Sequence, residues 1–190
     1  MIKTNPGVRQ YLEPIELEMV RNACQNPREK AIIDFLFSTG CRVSEMCAVK
    51  KENVDIQART VFIEHGKGDK SRTTYLNPES IISLTEYLKT RTDDNPYLFT
   101  HIRHPAGSDG RLERKTVQML LRQIASRIPS LDKKLTPHVL RHTAATTALR
   151  NGMPMEQVKE FLGHSNINTT MIYAKLDKAD IKRSHEKYLG

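Results

Sequence analysis

Between Thr136 and Tyr173 the chain gathers basic and nucleophilic residues into three short clusters, each tied to a helix start or stop. Thr136-Pro137-His138-Val139-Leu140-Arg141-His142 reads as a helix opening. Thr136 is the N-cap and Pro137 takes the first helical position, where a missing N–H costs nothing. His138 and Arg141, three residues apart, then share one helix face. Twenty-two residues beyond Arg141 comes Gly163-His164-Ser165. Gly163 suits a helix stop and Ser165 the cap of the next helix, which leaves His164 in the joint between them. Tyr173 stands nine residues after His164. So many helix boundaries in so short a stretch predict helices separated by tight joints.

The preceding chain reads as support for that stretch. Residues 1 to 10, polar and containing Pro6 and Gly7, form a flexible lead-in. Glu13-Pro14 opens a helix to about Cys24, and Asn26-Pro27 opens another in which Ala31, Ile32, Phe35 and Leu36 recur at helical spacing until Gly40 offers a stop. Arg42 begins a short helix with Val43, Met46 and Val49 inward, and Glu45 lies three residues on, within pairing reach. Thr60–Glu64 and Arg72–Leu76 are β-branched and aromatic, separated by a turn rich in glycine and charge, and predict a hairpin carrying Lys67. Gly66-Lys67-Gly68 lacks the G-x-x-x-x-G-K-S/T spacing of a nucleotide loop and is flanked by strands, which argues against nucleotide binding.

Asn77-Pro78 begins a helix through Ile81, Ile82, Leu84, Tyr87 and Leu88, and Leu98-Phe99 gives a short apolar contact. His101 to Gly110 reads as an exposed loop. Helical periodicity returns from Lys115 to Ile128, with Arg114, Lys115, Arg122 and Arg127 as charged positions. Gly152 can end the His138 helix, Pro154 opens one carrying Met155, Val158, Phe161 and Leu162, and Thr169 to Tyr173 forms a short helix. Asp177 caps a last basic helix to Leu189. The expected fold class is α+β, mainly α-helical, with a small antiparallel hairpin at one edge.

The pattern His138-x-x-Arg141, Leu162-Gly163-His164 and Tyr173 resembles the tyrosine recombinase (phage integrase) family. The resemblance extends upstream: Thr39-Gly40-Cys41-Arg42-Val43-Ser44-Glu45 matches the family's first arginine, and His65-Gly66-Lys67-Gly68-Asp69-Lys70 matches its hairpin lysine. It implies a catalytic domain over residues 11–190. Arg42 and Arg141 would bind the scissile phosphate, Glu45 would hold Arg42 from behind, and Lys67 would protonate the leaving 5′ oxygen. His138 would act as base or proton relay, His164 as a further donor and Tyr173 as nucleophile. Lys70, Arg72, Arg114 and Lys115 are candidate DNA contacts.

These residue types suit that chemistry. Arginine is planar, always charged and able to make paired bonds to phosphate oxygens. A phenol has a pKa of about 10, so attack at neutral pH needs proton removal or nearby cations. A covalent phosphotyrosine keeps the bond energy, so a 5′ hydroxyl can reverse the step without ATP, metal or other cofactor.

Without the resemblance, His138, His142 and His164 offer three zinc ligands. Against zinc, Val139 stands where a metalloprotease helix carries glutamate, and Arg141 would set positive charge beside the ion. A DNA-binding module that has lost catalysis is a second rival, and a type IB topoisomerase, which shares the chemistry, is a nearer one.

Thirty lysines and arginines against 22 acids give a formal charge of +8, which favours a polyanionic partner. Three cysteines without a CxxC pair point to a reducing setting, and no apolar run reaches the roughly 18 residues of a membrane span. With the resemblance, the expected partners are double-stranded DNA and other protomers in a DNA-bound tetramer, with a monomer in its absence and no membrane. The expected setting is the cytoplasm of a bacterial, phage or mobile-element host. Full-length family members carry an N-terminal helical domain that closes a clamp on DNA. Here the catalytic domain starts near residue 1, so a fragment with weak, salt-sensitive DNA affinity is expected. The stretch from Lys178 to Leu189 is a candidate for exchange with a neighbouring protomer.

Overall fold

Four helices begin with proline in their first turn. They are α1 (Pro14–Asn22), α2 (Pro27–Thr39), α4 (Pro78–Lys89) and α6 (Pro137–Arg150). In three of them the preceding side chain caps the helix. Asn26 accepts from Glu29 N–H at 2.9 Å, Asn77 from Ser80 N–H at 2.9 Å, and Thr136 from Val139 N–H at 3.1 Å. Each cap satisfies a donor that the helix itself leaves unpaired. The computed structural model describes residues 11–64, 71–101 and 108–163, and the remaining helices are α3 (Val43–Ala48), α5 (Arg114–Ser126) and α7 (Met155–Leu162). Pro154 is the N-cap of α7 rather than its first residue.

The hairpin is part of a three-stranded antiparallel sheet, β1 (Val54–Asp55), β2 (Thr60–Ile63) and β3 (Arg72–Tyr75), in that spatial order. At two residues, β1 is too short to show the alternation by which a strand is recognised. Register pairs Ile63 with Arg72 and Val61 with Thr74. Val61, Ile63 and Thr74 are buried while Phe62 and Tyr75 are exposed, so the sheet has one inner face, and Arg72 shares it.

Helix α2 is the axis of the fold. Ala31, Ile32, Ile33, Phe35 and Leu36 are all fully buried, because α4, α6 and β3 enclose it. A helix apolar on every side must be central. Asp34, buried midway along α2, is paired with Arg21 of α1 at 2.8 Å. Phe99 packs edge-on against Phe35 and stacks on Tyr87, so the expected Leu98-Phe99 contact is a core element.

The C-terminal end of α2 sets the position of the site. Gly40 adopts a left-handed φ of 55°, and a Cβ there would lie 2.8 Å from Leu162 Cδ2 and 3.0 Å from the Phe161 ring. Gly163 ends α7 at φ 64°. Two glycine-closed helix ends therefore abut at van der Waals limits. Gly40→Ala is expected to cost about 2 kcal/mol from backbone strain and overpacking. Thermal melting should show a midpoint lower by several degrees, and an unchanged midpoint would refute this account of the contact.

Residues just after the lead-in strap onto α6. Leu12 N–H donates to Thr143 Oγ1 at 2.9 Å, and Arg150 bonds Glu13 at 3.0 Å and the Tyr11 hydroxyl at 2.8 Å.

Candidate active site

Arg42 lies three residues beyond the end of α2, as the N-cap of α3. Its backbone N–H donates to Glu45 Oε2 at 2.8 Å and its Nη1 to Glu45 Oε1 at 2.7 Å, so one carboxylate caps the helix and holds the side chain. Arg72 of β3 donates from Nη2 to the same Oε2 at 2.8 Å. The Glu45 side chain is 4% exposed, Arg72 12% and Arg42 28%.

Arg141 comes from α6 and is buried. Its Nη1 donates to the Gly40 carbonyl at 2.5 Å and its Nη2 to the Leu162 carbonyl at 2.7 Å. Those carbonyls belong to the two helix ends that meet at the glycines, and such terminal carbonyls lack partners within their own helices. The guanidinium plane is thus fixed by backbone. It bonds two residues upstream of Arg42, so α6 is tied to the segment that carries Arg42.

A turn before Arg141, His138 is exposed, and its ring centre is 6.5 Å from that of His142. His142 is half-buried, with Tyr11 at 5.8 Å. Burial, followed by the neighbouring His138, lowers the His142 pKa to about 4. An imidazole held below its unfolded value opposes folding once protonated, so its contribution is intact above pH 6.5 and declines as pH falls toward 4. We expect a loss of about 1 kcal/mol across that window, after allowance for solvent access. Denaturant unfolding at several pH values should show the slope, and His142→Asn should flatten it.

The family model described as the Phage integrase family matches residues 10–180. The chain belongs to the phage integrase family. Tyrosine recombinase XerA of Pyrococcus horikoshii is 34% identical over 172 residues, which cover 90% of this chain and 59% of that protein. The chain therefore spans less than two thirds of that relative's length. The crystal structure of XerA recombinase matches with a TM-score of 0.84 and 32% identity over 99% of this chain and 66% of that one. A post-cleavage complex of the XerH site-specific recombinase bound to its palindromic difH substrate matches with a TM-score of 0.74 and 25% identity, over 92% and 52% of the two chains. The mainly helical architecture with its small antiparallel sheet is the phage integrase catalytic fold.

Of the sequence-predicted site residues, Arg42 bonds Glu45, and Arg141 bonds the Gly40 carbonyl two residues before Arg42. Lys67, Lys70, His164 and Tyr173 lie outside the described residues, as do the helices expected at Thr169–Tyr173 and after Asp177. His164 directly follows Gly163 in the chain. Arg114 and Lys115 are exposed in the first turn of α5, which packs on α3. Neither bonds to the Arg42–Glu45–Arg72 group among the described residues. Arg72, expected among the DNA contacts, bonds Glu45 from the inner face of the sheet. Its sequence signal was the strand alternation that puts it on the face of Thr74. Among the described residues no three histidine, cysteine or acidic side chains are placed to hold a metal, and none of the helices is long and apolar enough to cross a membrane.

Proposed function

We propose that this chain is the catalytic domain, residues 11–190, of a site-specific DNA recombinase. It would break and rejoin one strand at a time through a 3′-phosphotyrosine on Tyr173. The observation that carries the reading is the bond from Arg141 to the Gly40 carbonyl, two residues before Arg42, with Arg141 oriented by two carbonyls. Two fixed guanidinium groups are what a phosphodiester gaining negative charge requires, and preorganised donors of this kind contribute about 3 kcal/mol each.

In this reading Arg42 and Arg141 take the non-bridging oxygens and His164 adds a donor. His138, exposed one turn from Arg141, accepts or relays the phenolic proton. Attack by the Tyr173 oxygen forms the phosphotyrosine bond and breaks the bond to the 5′ oxygen, which takes a proton from Lys67. A 5′ hydroxyl from another strand reverses both transfers. Double-stranded DNA is the substrate, as the XerH complex illustrates for a relative. Assembly of further protomers on DNA and a cytoplasmic setting belong to the same reading.

The test is incubation of the protein, or its full-length parent, with nicked duplexes carrying candidate recombination sites, followed by denaturing electrophoresis and peptide mapping. The expected result is a denaturation-resistant adduct with the nucleotide on the Tyr173 peptide. An adduct mapped to another residue, or none with the full-length parent on its own site, would refute the assignment.

A further inference from the structure

We propose that Arg72 is a positioning residue for strand cleavage, acting through Glu45 to keep Arg42 turned toward the phosphate. The inference rests on the proposed function and extends it to a side chain that the family motif does not include.

The geometry turns on one carboxylate shared by two guanidinium groups. A carboxylate and an arginine left to themselves tend to close into a two-bond fork. Here that fork does not form. Glu45 Oε2 already accepts from Arg72 Nη2 and from the Arg42 backbone N–H, both at 2.8 Å, so the Arg42 side chain holds Oε1 alone through Nη1. Arg42 is tethered to the acid at one corner.

Burial divides the two roles. Arg72, at 12% exposure, anchors the carboxylate, and Arg42, at 28%, is the more accessible of the pair. Arg72 commits its Nη2 to the carboxylate. Its burial is also costly as a stability device, because Nε is buried with no acceptor among the described residues. The side chain is confined from the other side too: a Cβ on Gly163 would lie 2.9 Å from Arg72 Cδ and Nε. Strand β3, the acid behind Arg42 and the joint at Gly163 therefore meet through this one side chain. Counted together, Arg42, Arg72 and Glu45 leave one net positive charge, whereas Arg42 and Glu45 alone would leave none.

Without Arg72, Oε2 is released and Arg42 can close onto Glu45 with two bonds, withdrawing its charge from the phosphate. The experiment measures the single-turnover rate of adduct formation at saturating DNA, together with DNA affinity as a function of salt, for the protein and its variants. We expect Arg72→Met to slow adduct formation about 10- to 100-fold with affinity and salt slope unchanged, and Arg72→Lys to recover part of the rate. In an Arg42→Lys background, Arg72→Met should cost less than about 3-fold more, since its route of action is already lost. Rates are read below each variant's melting midpoint, and if Arg72→Met does not fold, Arg72→Lys carries the comparison.

A weaker affinity with a salt slope reduced by about one would make Arg72 a phosphate contact and overturn the proposal. An undiminished cost in the Arg42→Lys background would overturn it as well, by showing an independent role. Failure of the unaltered protein to form any adduct is a separate result, which refutes the functional reading and this inference with it.

Discussion

Arg141→Met is expected to slow formation of the covalent DNA adduct by about 100- to 1,000-fold and to lower stability by about 2 to 4 kcal/mol. The two losses share one origin. The guanidinium fills the gap between the ends of α2 and α7, donating to the carbonyls of Gly40 and Leu162. Methionine fills comparable volume but offers no donor, so two carbonyls at helix ends lose their partner in a buried place. Arg141→Lys is no substitute, since one ammonium does not reproduce a planar fork reaching two carbonyls. Arg127 supplies the control. It is bonded to Glu29 at 2.6 Å and to the Ala23 carbonyl at 3.0 Å, and Glu29 lies about 16 Å along α2 from Gly40. Arg127→Met should lower the melting midpoint and leave the adduct rate of the folded protein alone. An Arg141→Met protein that melts and reacts like the parent would remove the basis of the proposed mechanism.

The residues that were legible in the sequence are those whose chemistry is local. Proline behind Asn26, Asn77 or Thr136 announces a helix start because cap and first turn are adjacent in the chain. Gly40 and Gly163 announce helix ends because they tolerate the left-handed region. The pairing of Arg42 with Glu45 follows from a separation of three. What was not legible is non-local or carries no side-chain signature. Arg141 is received by backbone carbonyls, which every residue has, so nothing in the letters marks Gly40 and Leu162 as its partners. Arg72 has the composition of a DNA contact, and only its register opposite Ile63 reveals that it turns inward to a carboxylate 27 positions away. The strand Val54–Asp55 depends on the partner strand and has no alternation of its own.

Glu45 concentrates that non-local information, and its removal is the second large effect we expect. Glu45→Ala leaves Arg72 nearly buried without its counter-ion and takes the cap from α3, and breaking a buried pair in this way costs about 3 to 5 kcal/mol. Glu45→Gln keeps an acceptor but not the charge, so it should fall between Glu45→Ala and the parent. The acid limb of stability separates this from simple packing loss. Burial alone would raise the Glu45 pKa, yet bonds from Arg72 and from the Arg42 backbone and side chain together hold it at about 2, below the usual 4.5. A carboxyl with a depressed folded pKa lends stability that is fully present above its unfolded value and is lost as pH falls through the folded one. The parent should therefore lose about 3 kcal/mol between pH 4.5 and pH 2. That window lies mostly below the one governed by His142, overlapping it only near pH 4 to 4.5, so the two can be resolved in a single series of denaturant melts. Glu45→Gln should shrink the lower limb and keep the upper, with a smaller remainder carried by Asp93, which its bond from Arg91 holds at about 2. A lower limb undiminished in Glu45→Gln would mean that other carboxylates carry all of it, and that the two arginines do not depend on this acid.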